Sequence, residues 1–227
     1  LALVPCGTVN PVGLHADRKV LGMHGVSAGY EPAHLLFQHV DLSMTGPKRV
    51  AIVGRNGIGK STLLKLVSGE LAPMAGQVVV GVSTAMIDQH VSFLNPAASI
   101  LDNFRALNPE ADEDNCRSIL AGFLFRADAA LQIVGTLSGR QMLRAGLVCR
   151  LGSLRPPELL ILDEPTNHLD IDSIHAVEVA LQAYDGAMLV VSHDETFLQN
   201  ISTERTVRLD ARGADEASAR HDGKRVG

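Results

Sequence analysis

Several absences narrow the possibilities for this 227-residue chain. Its longest apolar stretches, such as Leu159–Leu162 and Ala187–Val191, fall far short of the roughly 20 residues that cross a bilayer. Membrane insertion is therefore not expected. There is no basic excess: 20 Lys and Arg face 25 Asp and Glu for a net charge of −5. The whole chain thus lacks the counterion-releasing charge that drives nonspecific nucleic-acid binding, and any RNA contact needs a local patch. Cysteines number only three (Cys6, Cys116, Cys149), none in CxxC or Cys/His metal spacing, which excludes a disulfide scaffold and points to a reducing, cytoplasmic setting. No initiator methionine or signal-peptide pattern opens the chain, so a C-terminal half or fragment of a longer protein is expected.

What remains is a chain of ordinary globular composition, 46% hydrophobic and 20% charged, large enough for one sizeable α/β core. Pro5, Gly7, Pro11 and Gly13 mark residues 1–17 as a linker or irregular edge. From 211 to 227 Val226 is the lone large aliphatic residue, and a mobile tail is expected there. The domain spans 18–210. Within it, β-type runs at Lys48–Val53, Gln77–Val82, Leu159–Leu162 and Met188–Val191 precede Gly-rich turns or helical stretches, which predicts a largely parallel sheet. Ile174, Val177, Leu181 and Tyr184 recur at helical spacing and predict an amphipathic helix packed on that sheet. Helical spacing of Ile100, Phe104, Leu107, Ile119, Leu120, Phe123 and Leu124 predicts a small helical subdomain over about 98–152.

The chemistry concentrates in a few motifs. Gly54-Arg-Asn56-Gly57-Ile-Gly59-Lys60-Ser61-Thr62 fits G-x-x-x-x-G-K-[ST] directly after an apolar strand and before a helix. The glycines let the backbone curl so that N–H groups and the helix N-terminus point at phosphate oxygens, Lys60 adds a positive charge, and Ser61 is suited to hold Mg²⁺. A second apolar strand ends in Asp163-Glu164. Strand C-terminal ends are where α/β sheets bind ligands. There Asp163 suits Mg²⁺, and Glu164 suits a general base for an attacking water.

Together, Gly54–Ser61, Leu137-Ser138-Gly139-Arg140-Gln141 and the run Asp163-Glu-Pro-Thr-Asn167-His168-Leu-Asp170 resemble an ATP-binding cassette ATPase. The resemblance covers about 18–210. The last run looks like the F subfamily (ABC-F), whose members lack membrane spans and act on ribosomes. It implies a P-loop NTPase fold with a parallel α/β core and a helical subdomain, ATP and Mg²⁺ as cofactors, and hydrolysis in a head-to-tail pair with a second cassette. It also implies roles: Tyr30 stacks on adenine, Gln89 reaches Mg²⁺ and serves turnover, and His193 bonds the γ-phosphate. Ser138, Gly139 and Gln141 serve the nucleotide of a facing cassette. Arg140 departs from the pattern, which normally has glycine there; an arginine must swing aside or meet the phosphate. The output implied is a ribosome-associated translation factor. The alternatives are a nucleotide-binding subunit of a membrane transporter and, if Arg140 disables turnover, a nonhydrolysing ATP-dependent interaction module.

Overall fold

The structure, a computed structural model, describes residues 9–31, 34–167 and 169–216. Its architecture follows from two kinds of strand. β1 (Lys19–Glu31) carries consecutive buried residues at 20–21 and 26–28, whereas β2 (His34–Thr45) alternates buried with exposed side chains from Val40 to Thr45, as a strand with one solvated face does. They pair antiparallel, with Met23 opposite Leu42. β3 (Arg49–Val53) leads into α1 (Lys60–Ser68), and β4 (Ala75–Val80) then returns to β1, again antiparallel. The expected strand near 77–82 therefore exists but belongs to a separate three-stranded antiparallel sheet, in the order β2-β1-β4. Sequence reasoning did not foresee the β1–β2 hairpin, because its bulges break strict alternation.

The second sheet holds the rest. It comprises β5 (Thr84–Ile87), β6 (Leu159–Asp163), β7 (Ala187–Val191), β3, β8 (Arg205–Asp210) and β9 (Gly213–Glu216), in the order β5-β6-β7-β3-β8-β9. All neighbours are parallel except β8 and β9. β9 corrects the expectation of a mobile tail from residue 211: backbone pairing with β8 orders 213–216 without any large aliphatic side chain. The remainder of that tail, like residues 1–8, lies outside the described residues.

β6 and β7 are buried along their whole length because both faces of the sheet are covered. Successive residues feed opposite cores. Leu159, Ile161, Leu189 and Val191 join the cluster with Met23, Phe37, Ile52, Leu63 and Leu64, between the two sheets and α1. Leu160, Leu162, Met188 and Val190 join the cluster formed with the helices. Those helices are α2 (Ile100–Leu107), α3 (Glu113–Gly122), α4 (Gly139–Leu151), α5 (Ile171–Gln182) and α6 (Glu195–Asn200). Side-chain caps at Ser99, Asp112, Ser138, Asp170 and Asp194 start all five by accepting a backbone N–H in the first turn. The irregular stretch before β1 is tied down, since Val9 and Val12 pack on the helix-side core and Asn10 donates to the Ser153 carbonyl.

Tyr184, just past α5, is wholly buried, and its hydroxyl donates to the Pro157 carbonyl at 2.6 Å, joining the approach to β6 with the turn before β7. Burial pushes this phenol well above its ordinary value. We expect Tyr184→Phe, which strands that carbonyl, to cost about 1–2 kcal/mol in denaturant unfolding. Nucleotide affinity should stay unchanged, because the site lies at the opposite ends of these strands.

Candidate functional site: a phosphate-binding pocket at the strand ends

The register of the parallel strands builds the site. Ile52 of β3 and Asp163 of β6 both lie opposite Val191 of β7, so the three chains leave the sheet at the same edge. There the 54–59 loop, the Asp163-Glu164 pair and His193 meet in a pocket of about 400 Å³. Its walls include Asn56, Gly57, Gly59, Lys60, Ser61 and Thr62. Gly57 (φ 78°) and Gly59 (φ 102°) take left-handed conformations that a side chain would strain, and this lets the loop wrap tightly into α1. No side chain caps α1 and no acid stands in its first turn, so its N–H groups face the pocket without competition from the chain's own carboxylates. Gly54 contributes its carbonyl rather than a wall: Lys60, largely buried, donates to it at 3.0 Å.

Lys60 Nζ also lies 3.0 Å from His193 Nε2. Glu164 Oε1 is 3.4 Å from the same ring nitrogen. Lys60, His193 and Glu164 thus form one contiguous group on the pocket floor. Glu164 has φ 50°, left-handed for a residue with a side chain, while its N–H donates to the Val191 carbonyl at 2.9 Å. Such strain costs on the order of 1–3 kcal/mol and collects at functional sites.

Asp163 is 8% exposed, and its Oδ1 has no hydrogen-bond partner among the described residues. Burial raises its pKa above the ordinary carboxyl value; a hydrogen bond from Ser61 and the charges of Lys60 and Lys65 oppose the shift, and Asp88 adds to it. A buried carboxylate oxygen lacking a partner, beside a serine hydroxyl, fits a hard divalent cation. Among the described residues no three His, Cys, Asp or Glu side chains are placed to hold a metal ion together, so a cation held by Asp163 and Ser61 would draw its other ligands from phosphate and water. That is the habit of Mg²⁺.

Tyr30, at the end of β1, is 83% exposed and lines the pocket with Leu36, leaving a ring face open to a planar base. Gln89 is not brought to the pocket wall; it sits on an exposed turn after β5, and its neighbour Asp88 is the residue that acts on Asp163. Ser138, Gly139 and Gln141 also lie outside the pocket. Ser138 and Gln141 form a reciprocal capping box at the start of α4. Arg140 swings aside to an ion pair with Asp170. His168 lies outside the described residues. Asn167 and Leu36 line the pocket without having been singled out for it. Asn167 could have been found from its place in the turn after Glu164, whereas Leu36 gave no sign because its hairpin was unforeseen.

A glycine loop between a strand and an uncapped helix, faced by carboxylates at the end of a parallel strand one place beyond its neighbour in the sheet, defines a P-loop nucleotide-binding fold. The chain belongs to the ABC transporter family, whose profile matches residues 37–167. It is 37% identical over 188 residues to "Probable ATP-binding protein YheS" of Escherichia coli K12, covering 82% of this chain and 29% of that protein. It is 36% identical over 210 residues to "ABC transporter F family member 3" of Arabidopsis thaliana, covering 91% of this chain and 29% of that protein. The chain thus spans less than a third of the length of these relatives. The fold also matches a bacterial Atm1-family ABC exporter solved with ATP bound, at a TM-score of 0.75 and 19% identity over 95% of this chain and 41% of that one. ABC-F-type relatives therefore share the sequence, and ABC cassettes share the fold. Among the described residues no helix is long and apolar enough to cross a membrane.

The burial of Asp163 yields a test. Because its pKa is raised in the fold, the group favours folding only at low pH, and that contribution is lost as pH rises through the folded-state value. Asp163→Asn should therefore raise the melting temperature of the nucleotide-free chain at pH 7. The gain should shrink on acidification, when the native carboxyl is itself neutral. The same variant should lose the Mg²⁺ dependence of ATP binding in a fluorescence titration.

Proposed function

We propose that the chain binds MgATP in this pocket and hydrolyses it in a head-to-tail pair with a second cassette, as part of a cytoplasmic, ribosome-associated translation ATPase of the ABC-F type. One observation carries the reading. Lys60, Asp163, Glu164 and His193 converge in a single pocket while Ser138–Gln141, on the same chain, lies outside it. The pocket so described is half of a composite site, and a second copy of the signature turn would complete it.

The residues divide the work. The ring of Tyr30 receives the adenine, and the 54–62 backbone with Lys60 holds the phosphates. Asp163 and Ser61 would hold Mg²⁺, which supplies charge neutralisation at the phosphate oxygens. Glu164 accepts the proton of the attacking water. An arriving γ-phosphate gives Lys60 an anionic partner in place of the Gly54 carbonyl and gives His193 an acceptor, so the network among Lys60, His193 and Glu164 is rearranged by substrate. Gln89, on its exposed turn, reaches the metal only if that turn moves inward. The ABC-F assignment draws on the F-type relatives and on Asn167 in the turn after Glu164.

We expect Glu164→Gln to keep ATP affinity and cut turnover by about 10²- to 10⁴-fold, the usual contribution of a general base. Phosphate release at the wild-type rate would refute the assignment. The native protein should move with ribosomes in sucrose gradients of detergent-free lysate when ATP is supplied, and more strongly with Glu164→Gln than without it. A membrane-bound, ribosome-free distribution would instead mark a transporter subunit. Undetectable turnover in the presence of a second cassette would mark a nonhydrolysing module.

A further inference from the structure

Arg140 stands where the cassette pattern has glycine, and the structure shows what it holds. Its guanidinium meets Asp170 Oδ2 in an ion pair. The other oxygen of that carboxylate caps α5, accepting from the Ser173 N–H at 2.9 Å and the Ser173 hydroxyl at 2.6 Å. Asp170 is therefore a fixed point. Back toward the pocket, the Asn167 N–H donates to the Glu164 carbonyl and the Leu169 N–H to the Thr166 carbonyl, each at 3.2 Å. On the opposite side, the Ser138–Gln141 capping box sets the first turn of α4, from which Arg140 projects. Behind Arg140 lies another cation, Arg144, stacked 4.6 Å from the Phe125 ring centroid. Both arginines line a cavity of about 280 Å³ together with Leu169 and Asp172. Arg144 repels Arg140 on that side while Asp172 attracts it, and the guanidinium is paired with Asp170.

We propose that Arg140 is a positioning residue whose ion pair with Asp170 couples the chain's own ATP pocket to its own signature turn. The proposal rests on the MgATP reading above. A nucleotide held at 54–62 bears on Glu164 and Asn167. The Leu169 N–H, bonded to the Thr166 carbonyl of their stretch, adjoins Asp170, and Asp170 holds Arg140. In a pair of cassettes the signature turn serves the partner's nucleotide, so this link ties together the two sites in which one chain takes part. A glycine at 140 has no side chain with which to make it.

Hydrogen exchange read by mass spectrometry on the whole chain, with and without MgATP, tests this. Exchange over 54–62 reports filling of the pocket, and exchange over 138–144 reports the signature turn. In the wild type MgATP should slow 138–144 by about two- to fivefold, the range an exposed ion pair commands. Arg140→Lys should retain the effect, and about 1 M salt should weaken it. Arg140→Gln and Asp170→Asn should abolish it while still showing slowed exchange over 54–62; asparagine keeps the helix cap, so the fold is preserved. A response at 54–62 with none at 138–144, or an equal response in Arg140→Gln, would overturn the coupling and leave the MgATP reading standing. No response at 54–62 in any variant would overturn both.

Discussion

The parallel register of β3, β6 and β7 is the constraint on which everything else depends. With Ile52 and Asp163 both opposite Val191, three separate stretches of chain leave the sheet at one edge, and the groups that follow them are forced together. The register is held by burial on both faces. Alternate residues of β6 and β7 are committed to two different cores, and a slip of one residue would exchange the two sets. The continuous apolar runs that forbid water in the sheet thus also set the geometry of a polar pocket at its end.

That pocket is held in tension by its own charges. Lys60 is buried against loop carbonyls and His193, while Asp163 is buried with one oxygen lacking a partner and its pKa pushed up. Each of these groups would gain by meeting a phosphate or a cation. Nucleotide binding then relieves desolvation costs that the fold already bears, the reverse of what a merely stable arrangement would choose. The left-handed Glu164 belongs to the same pattern, since its strained backbone stands where its carboxylate lines the pocket, 3.4 Å from His193 Nε2.

The signature turn follows a different logic. Ser138 and Gln141 satisfy one another in a capping box, and Arg140 is engaged by Asp170, so this edge is internally complete. Its polar groups do not turn toward the chain's own pocket. An edge of that kind can be presented to another molecule without first being ordered, which lowers the entropic cost of association.

The amino-acid sequence by itself determined the chemistry and its local frame. The G-x-x-x-x-G-K-S run, the acids after an apolar strand and the histidine after another were legible because each depends on neighbours a few residues away. The amphipathic face of α5 was legible for the same reason. Only tertiary structure decided what lies between elements. The β1–β2 hairpin that delivers Tyr30 and Leu36 was hidden by its bulges, and β4 was readable as a strand but not as a member of a second sheet. Ordering of 213–216 comes from backbone pairing with β8 and not from side-chain hydrophobicity, so composition suggested a tail. The partner of Arg140 stood beyond local pattern altogether. Its carboxylate is 30 positions along the chain, and the two meet only because α4 and the cap of α5 are packed against the same core.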